Sequence, residues 1–215
     1  MNLKLRDLHD GIFRTSYRGF PIQKIPSDYL IYQMIVHEVQ PDLIIEIGTM
    51  RAGSALYFAD LMDAMNIEGG EVHTIDIVDF ESRDYKVKVD PEVIHSNERI
   101  KTFTDGFKNY DLDNCKKFNK VLVIDDGSHI YEEVLEALEK FKDVVTLGSY
   151  FIVEDGNALE IELSPERLDS LNGGPLRAIS EFLSRPNGFT VELKWCDMFG
   201  INSTFNTYGY LKKVE

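Results

Sequence analysis

Leu43-Ile44-Ile45-Glu46-Ile47-Gly48-Thr49-Met50-Arg51-Ala52-Gly53-Ser54 decides the fold. A short, nearly continuous apolar run reads as a strand buried on both faces, the kind found in parallel sheets covered by helices. Gly48 permits a tight turn, and a helix is expected from about Gly53 to Met65, closely approached at Gly53. The helix N-terminus would offer free N–H groups to a ligand. The spacing is not the G-x-G-x-x-G of dinucleotide sites, and no Gly-Lys-Ser/Thr follows as in a phosphate-binding loop. A strand acid two residues before the glycine, Glu46, suits a ligand bearing an ammonium group, such as the methionine end of S-adenosylmethionine. A plain strand-to-helix turn is the bland alternative.

Further along, the same alternation repeats. Val72–Ile77, a weaker Ile100–Phe103, Lys120–Asp125 and Tyr150–Glu154 read as further strands, with helices expected over about Ile130–Val144 and Leu176–Leu183. Strands near Thr190–Leu193 and Tyr208–Lys213 are expected to form an antiparallel edge. Upstream, a helix is expected from Ile25-Pro26-Ser27-Asp28 to about Gln40, and residues 1–25 read as an irregular, aromatic arm or cap. The polar stretch from Gly156 to Gly174 reads as a lid loop or a passive surface loop. The pattern as a whole is α/β, a mostly parallel sheet with helices, in one domain over residues 26–215.

In such sheets ligands sit beyond the C-terminal strand ends, so those ends were compared. Asp76 closes the second strand and could accept ribose hydroxyls, or be a solvated acid. Asp105-Gly106 could border an adenine or simply form a turn. The richest cluster is Asp125-Asp126-Gly127-Ser128-His129 after the fourth strand with Glu154-Asp155 after the fifth. Adjacent parallel strands would bring Asp126, Glu154 and Asp155 together, and like charges so close need compensation. A divalent cation removes the conflict, and oxygen donors select Mg2+, Mn2+ or Ca2+ over softer metals. Asp125 or Asp126 could instead cap a helix. His129, beside such a site, is a candidate general base for a substrate hydroxyl. The cofactor set carried forward is Glu46, Gly48, Thr49, Gly53, Ser54, Asp76, Asp105 and Asp125.

The formal charge of −14, from 23 basic against 37 acidic residues, disfavours nucleic acid and anionic membranes as partners. Cys115 and Cys196 form no framework or metal spacing and read as thiols of a cytoplasmic protein. No run approaches the roughly 20 apolar residues of a membrane span. An iron hydroxylase would want two histidines with a carboxylate, and His9, His37, His73, His95 and His129 offer no convincing pair. A nicotinamide oxidoreductase and a nucleoside-binding module without catalysis are the remaining competitors.

On these residues the chain resembles the cephalosporin hydroxylase-like methyltransferases. The resemblance is carried by Pro41–Gly48 with Gly53-Ser54-Ala55, Val123–Asp126 with His129, Gly148–Asp155, Gly174-Pro175, Ser203–Asn206 and Gly209–Lys212. Asp125–His129 is also similar to the metal-dependent macrolide-sugar O-methyltransferases. The resemblance implies a seven-stranded class I methyltransferase sheet, S-adenosylmethionine as donor, and a sugar, glycan or secondary-metabolite hydroxyl as acceptor. It further implies Asp126, Glu154 and Asp155 as magnesium ligands, His129 as base, and a homo-oligomer. The long N-terminal region of the macrolide enzymes has no counterpart here, so any substrate contact made through it does not transfer.

Overall fold

The computed structural model describes residues 5–82, 87–161 and 164–215. The N-terminal part holds helix α1 (Leu5–Ile12), a small hairpin of β1 (Ser16–Tyr17) and β2 (Phe20–Pro21), and helix α2 (Pro26–Val39). Then come β3 (Leu43–Ile47), α3 (Gly53–Ala64), β4 (Glu71–Ile75), α4 (Glu92–His95) and β5 (Ile100–Phe103). Past two short 3-10 turns lie β6 (Val121–Asp125), α5 (Tyr131–Phe141), β7 (Tyr150–Val153), α6 (Pro165–Leu171) and α7 (Gly174–Leu183). The chain closes with β8 (Phe189–Val191), α8 (Leu193–Cys196) and β9 (Tyr210–Lys213).

Seven strands form one sheet in the order β5-β4-β3-β6-β7-β9-β8. All pairings are parallel except those of β9, which runs antiparallel to β7 and β8. This is the α/β architecture expected, antiparallel edge included. The order reverses at β3, whose neighbours are β4 and β6, so the crevice for a ligand opens beyond the end of β3.

Strand alternation divides the core in two. Ile44, Leu122, Ile124, Tyr150, Ile152 and Tyr210 pack with α2 and α3 on one face. Leu43, Ile45, Val121, Val123, Phe151, Val153 and Leu211 pack with α5 and α7 on the other. Ile47 pairs with Ile75 and Asp125, and Asp125 with Val153, so the strands end level. The next residues, Gly48, Asp76, Asp126 and Glu154, therefore emerge abreast.

Two expectations are corrected. Residues 5–25 are not irregular: Leu5, Leu8 and Ile12 lie on one stripe of α1 and pack on Ile25, Ile161 and Phe205. Residues 1–4 lie outside the described residues. The stretch from Gly156 to Gly174 is not a bare loop, because it carries α6, where the Ser164 side chain accepts from Arg167 N at 3.3 Å. Residues 162 and 163 of that stretch are outside the described residues.

The glycines of the first turn serve backbone crossings. Gly48 has φ +103°, and a Cβ there would stand 2.0 Å from the Asp126 carbonyl oxygen. A Cβ on Gly53 would stand 2.2 Å from the Pro21 carbonyl oxygen, so the close approach at Gly53 is made by the β1–β2 hairpin. Gly53→Ala is expected to cost about 1–3 kcal/mol of stability, and each kcal/mol lowers Tm by roughly 2–4 °C for a chain this long. Thermal melts of the variant check this; an unchanged Tm would show that the hairpin yields freely.

Candidate active site

A cavity of about 770 Å3 lies beyond the ends of β3, β4 and β6, within the range of small-molecule sites. Its walls include Gly48, Thr49, Ser54, Asp76, Asp105, Asp125, Asp126, His129 and Asp155. Of the residues expected at the site, Glu46, Gly53 and Glu154 do not reach this wall. His9, Ile12 and Phe13 from the α1 region and Arg167 from α6 do reach it, residues that the sequence did not single out within the expected cap and lid.

One side of the cavity is built from backbone-anchored acids. Asp76 accepts from Met50 N at 3.1 Å through Oδ2 and from Ile77 N at 2.8 Å through Oδ1, which fixes its plane at the strand end. Asp125 accepts from Gly127 N at 3.2 Å through Oδ1, while its buried Oδ2 has no partner. Ile77 lines the cavity with 78% of its surface exposed, an apolar face available to a flat ring. Glu46 sits behind this wall, fully buried on the α2–α3 face. The Thr74 hydroxyl stands 2.7 Å from Glu46 Oε2 and 2.8 Å from Thr49 Oγ1, and Glu46 Oε1 is without a partner. Burial pushes Glu46 up to about 7, against the pull of the Lys24 charge. Asp125 is likewise pushed by burial to about 7, opposed by His129. Unpartnered buried acceptors of this kind suit a ligand rich in donors.

The other half of the cavity holds the acid cluster. His129 Nε2 lies 3.4 Å from Asp155 Oδ2 and 3.7 Å from Asp126 Oδ1. Met50, Ala52, His129 and Asp155 all have positive φ, between 46° and 60°. Strain of about 1–3 kcal/mol per residue is held where surrounding structure fixes it.

Glu154 is separated from Asp155 just past the end of β7, where Asp155 takes φ +54°. It continues the face of Tyr150 and Ile152, so it turns toward α2 while Asp155 turns into the cavity. There Lys24 Nζ donates to Glu154 Oε1 at 2.5 Å and to Asp126 Oδ2 at 2.8 Å, and the Tyr32 hydroxyl donates to the same Glu154 oxygen at 2.6 Å. Burial opposes the charge on Lys24, but Asp126, Glu154 and Glu46 outweigh it and hold the ammonium well above the usual lysine range. Burial and the Asp126 charge push Glu154 up, and burial raises Asp155 against the pull of His129. The sequence reading asked for a cation among these carboxylates; the chain itself supplies one. Nothing local to Gln23-Lys24-Ile25 signals it. Nearby, Asp28 accepts from the Thr204 hydroxyl at 2.6 Å and from Phe205 N at 3.2 Å, tying α2 to the C-terminal loop.

His9 and His129 both face the cavity, but among the described residues no group of three His, Cys, Asp or Glu gathers to hold a metal by itself. His73 is engaged elsewhere, between Tyr110 and Glu71. Among the described residues no helix is long and apolar enough to cross a membrane.

Residues 11–214 match the family model described as rhamnosyl O-methyltransferase/CmcI. The rhamnosyl O-methyltransferase of Mycobacterium tuberculosis (strain H37Rv) is 28% identical over 198 residues, spanning 91% of this chain and 77% of the relative. That of Mycobacterium leprae is 29% identical over 211 residues, 92% of this chain and 82% of the relative. A solved CmcI structure described as a Mg-SAM form superposes with TM-score 0.64 at 22% identity, covering 94% of this chain and 78% of that one. The O-methyltransferase TomG from Streptomyces achromogenes, in complex with SAM, gives TM-score 0.51 at 16% identity, covering 89% and 81%.

Glu46 makes stability pH-dependent in a defined sense. Its folded value, about 7, exceeds the ordinary 4.5 of the unfolded chain, so its favourable contribution is complete below pH 4.5 and is lost as pH rises through 7. Glu46→Gln should gain stability over the wild type as pH climbs through that window, reaching about 2 kcal/mol or more by pH 8, since each tenfold difference in proton affinity is worth about 1.4 kcal/mol. Urea melts of the ligand-free proteins at pH 4.5 and 8 test this, and a constant difference would refute it.

Proposed function

The chain belongs to the rhamnosyl O-methyltransferase/CmcI family, and we propose that this S-adenosylmethionine-dependent O-methyltransferase methylates a hydroxyl of a sugar, glycan or secondary metabolite, with His129 as base and a divalent cation beside it. The observation that carries the proposal is His129 Nε2, placed at the cavity wall between the Asp126 and Asp155 carboxylates.

The residues fit the methyl donor. The cavity volume suits a nucleoside with an amino-acid tail, Asp76 presents an anchored carboxylate for ribose hydroxyls, and Asp125 Oδ2 is a buried acceptor without a partner. Glu46 stands behind Thr49 rather than in contact, and an ammonium group arriving there would favour its charged form over the neutral form that burial favours. When bound, S-adenosylmethionine supplies an electrophilic methyl group on a positively charged sulfur.

The residues also fit a hard cation of low protein coordination. Asp126 and Asp155 face the cavity, and magnesium is commonly held through one or two carboxylates, with water and substrate oxygens completing its shell. Glu154 is the third candidate ligand, though its Oε1 is held by Lys24 and Tyr32 in this structure. The cation would lower the pKa of a coordinated substrate hydroxyl.

His129 Nε2, in the neutral form, takes the hydroxyl proton as the oxygen gains its methyl group. Asp126 and Asp155 on either side stabilise the imidazolium that results. Asp76 and Asp125 hold the donor in register with the base, and this positioning is itself a large part of the rate. Phe13 and Arg167, both exposed at the cavity wall, would meet the acceptor. The reading includes a cytoplasmic, self-associating protein, supported by two buried free thiols, Cys115 and Cys196, and by the exposed apolar side chains of Phe199 and Ile201.

His129→Ala should lower turnover by about 10²–10⁴-fold, with S-adenosylmethionine affinity measured by calorimetry nearly unchanged. Wild-type turnover in that variant would remove the base. Excess chelator should silence the wild-type enzyme in the same methylation assay; activity that survives it would remove the cation and leave the methyl transfer standing.

A further inference from the structure

Lys24 is the member of the acid cluster that methyl transfer does not use. Its side chain is 1% exposed, and a lysine this deeply buried keeps its charge only among anions. It finds them in Asp126 Oδ2 and Glu154 Oε1, with the Tyr32 ring 5.6 Å from Nζ. These are two of the three carboxylates expected to serve a divalent cation. A lone pair directed at an ammonium N–H is not free for a metal, and two cations a few ångströms apart repel strongly in a partly buried site. The ammonium and the metal therefore have overlapping claims on one set of oxygens.

We propose that Lys24 is the resident counter-ion of this site and exchanges with the divalent cation. Without metal, the ammonium bridges Asp126 and Glu154 and keeps strands β6 and β7 together at their ends. On metal binding it leaves those oxygens, and Glu154 becomes available beside Asp126 and Asp155. The three carboxyl groups outnumber the one ammonium, so oxygens of Asp126 and Asp155 remain for a cation even with Lys24 in place. The lysine has somewhere to go: Ile22 and Gln23, directly before it, already line the cavity. Its four-carbon stem is flexible. The consequence is a metal site that is ordered before it is filled and that binds metal more weakly than its carboxylates alone would. This inference rests on the cation named in the proposed function.

The test is the Mn2+ affinity of purified protein without donor or acceptor, read from free Mn2+ by electron paramagnetic resonance at neutral pH. Lys24→Met should bind Mn2+ at least tenfold tighter than the wild type, which corresponds to about 1.4 kcal/mol. Its Tm should be lower in EDTA and should rise more on adding Mn2+. Lys24→Gln, which keeps a polar contact to Glu154, should show the same sign and covers the case in which the Met variant does not fold. In the wild type, Mn2+ should speed modification of Lys24 by an amine-reactive reagent, read by peptide mass spectrometry. Equal or weaker Mn2+ binding by the variants, or an unchanged Lys24 labelling rate, overturns the exchange while leaving the metal reading intact. If neither wild type nor variants bind Mn2+, both fall.

Discussion

Parallel strands that end level deliver their terminal side chains to one place, and here those side chains are acids. The organisation of the site follows from how that charge is compensated. β3, β6 and β7 place Glu46, Asp126 and Glu154 on or near one side of the sheet end, and the Lys24 ammonium stands among them. A charge pair so deeply buried is costly to desolvate and is held by further hydrogen bonds, such as that from Tyr32. On the cavity side Asp125 and Asp155 are compensated differently, by His129 and by whatever donors a ligand brings, and Asp126 faces both ways, with Oδ2 on Lys24.

This division explains how one small sheet can serve two ligands. Behind the wall, Lys24 and Tyr32 are hydrogen-bonded to Glu154, and the buried Glu46 lies within the field of the same ammonium. In front of it, Asp76, Asp125 and His129 are fixed by backbone contacts and by positive-φ turns, so they are ready before a ligand arrives. The α1 region and α6 add His9, Ile12, Phe13 and Arg167 to the cavity wall from outside the sheet.

Much of the sheet was legible because a doubly covered parallel strand must be apolar on both faces. Leu43–Ile47 and Val121–Asp125 could hardly be anything else, and the antiparallel edge was expected near Thr190–Leu193 and Tyr208–Lys213, where β8 and β9 lie. The strand-end acids were legible for the same reason, since a carboxylate that follows a buried run emerges at the ligand crevice. What failed was finer. Glu154 and Asp155 were treated as a unit, whereas the positive φ of Asp155 just past β7 turns it into the cavity wall while Glu154 lies behind it against Lys24 and Tyr32. The stripe of Leu5, Leu8 and Ile12 was a signal for α1, obscured by a polar and glycine-containing context. Gly53 was read rightly as a close-approach residue, but its partner, the hairpin, lies far off in sequence. Lys24 carried no signal at all, because only tertiary packing brings it to the acids.

The central claim is that the cavity beyond β3 holds a sulfonium donor facing His129, with a cation between Asp126 and Asp155. A crystal structure with S-adenosylhomocysteine and Mn2+, the metal located by its anomalous scattering, tests it most directly. The account predicts the ribose on Asp76, the sulfur turned toward His129 and the Mn2+ peak against Asp126 and Asp155. A nucleoside bound elsewhere, or a metal peak away from those two carboxylates, would contradict it.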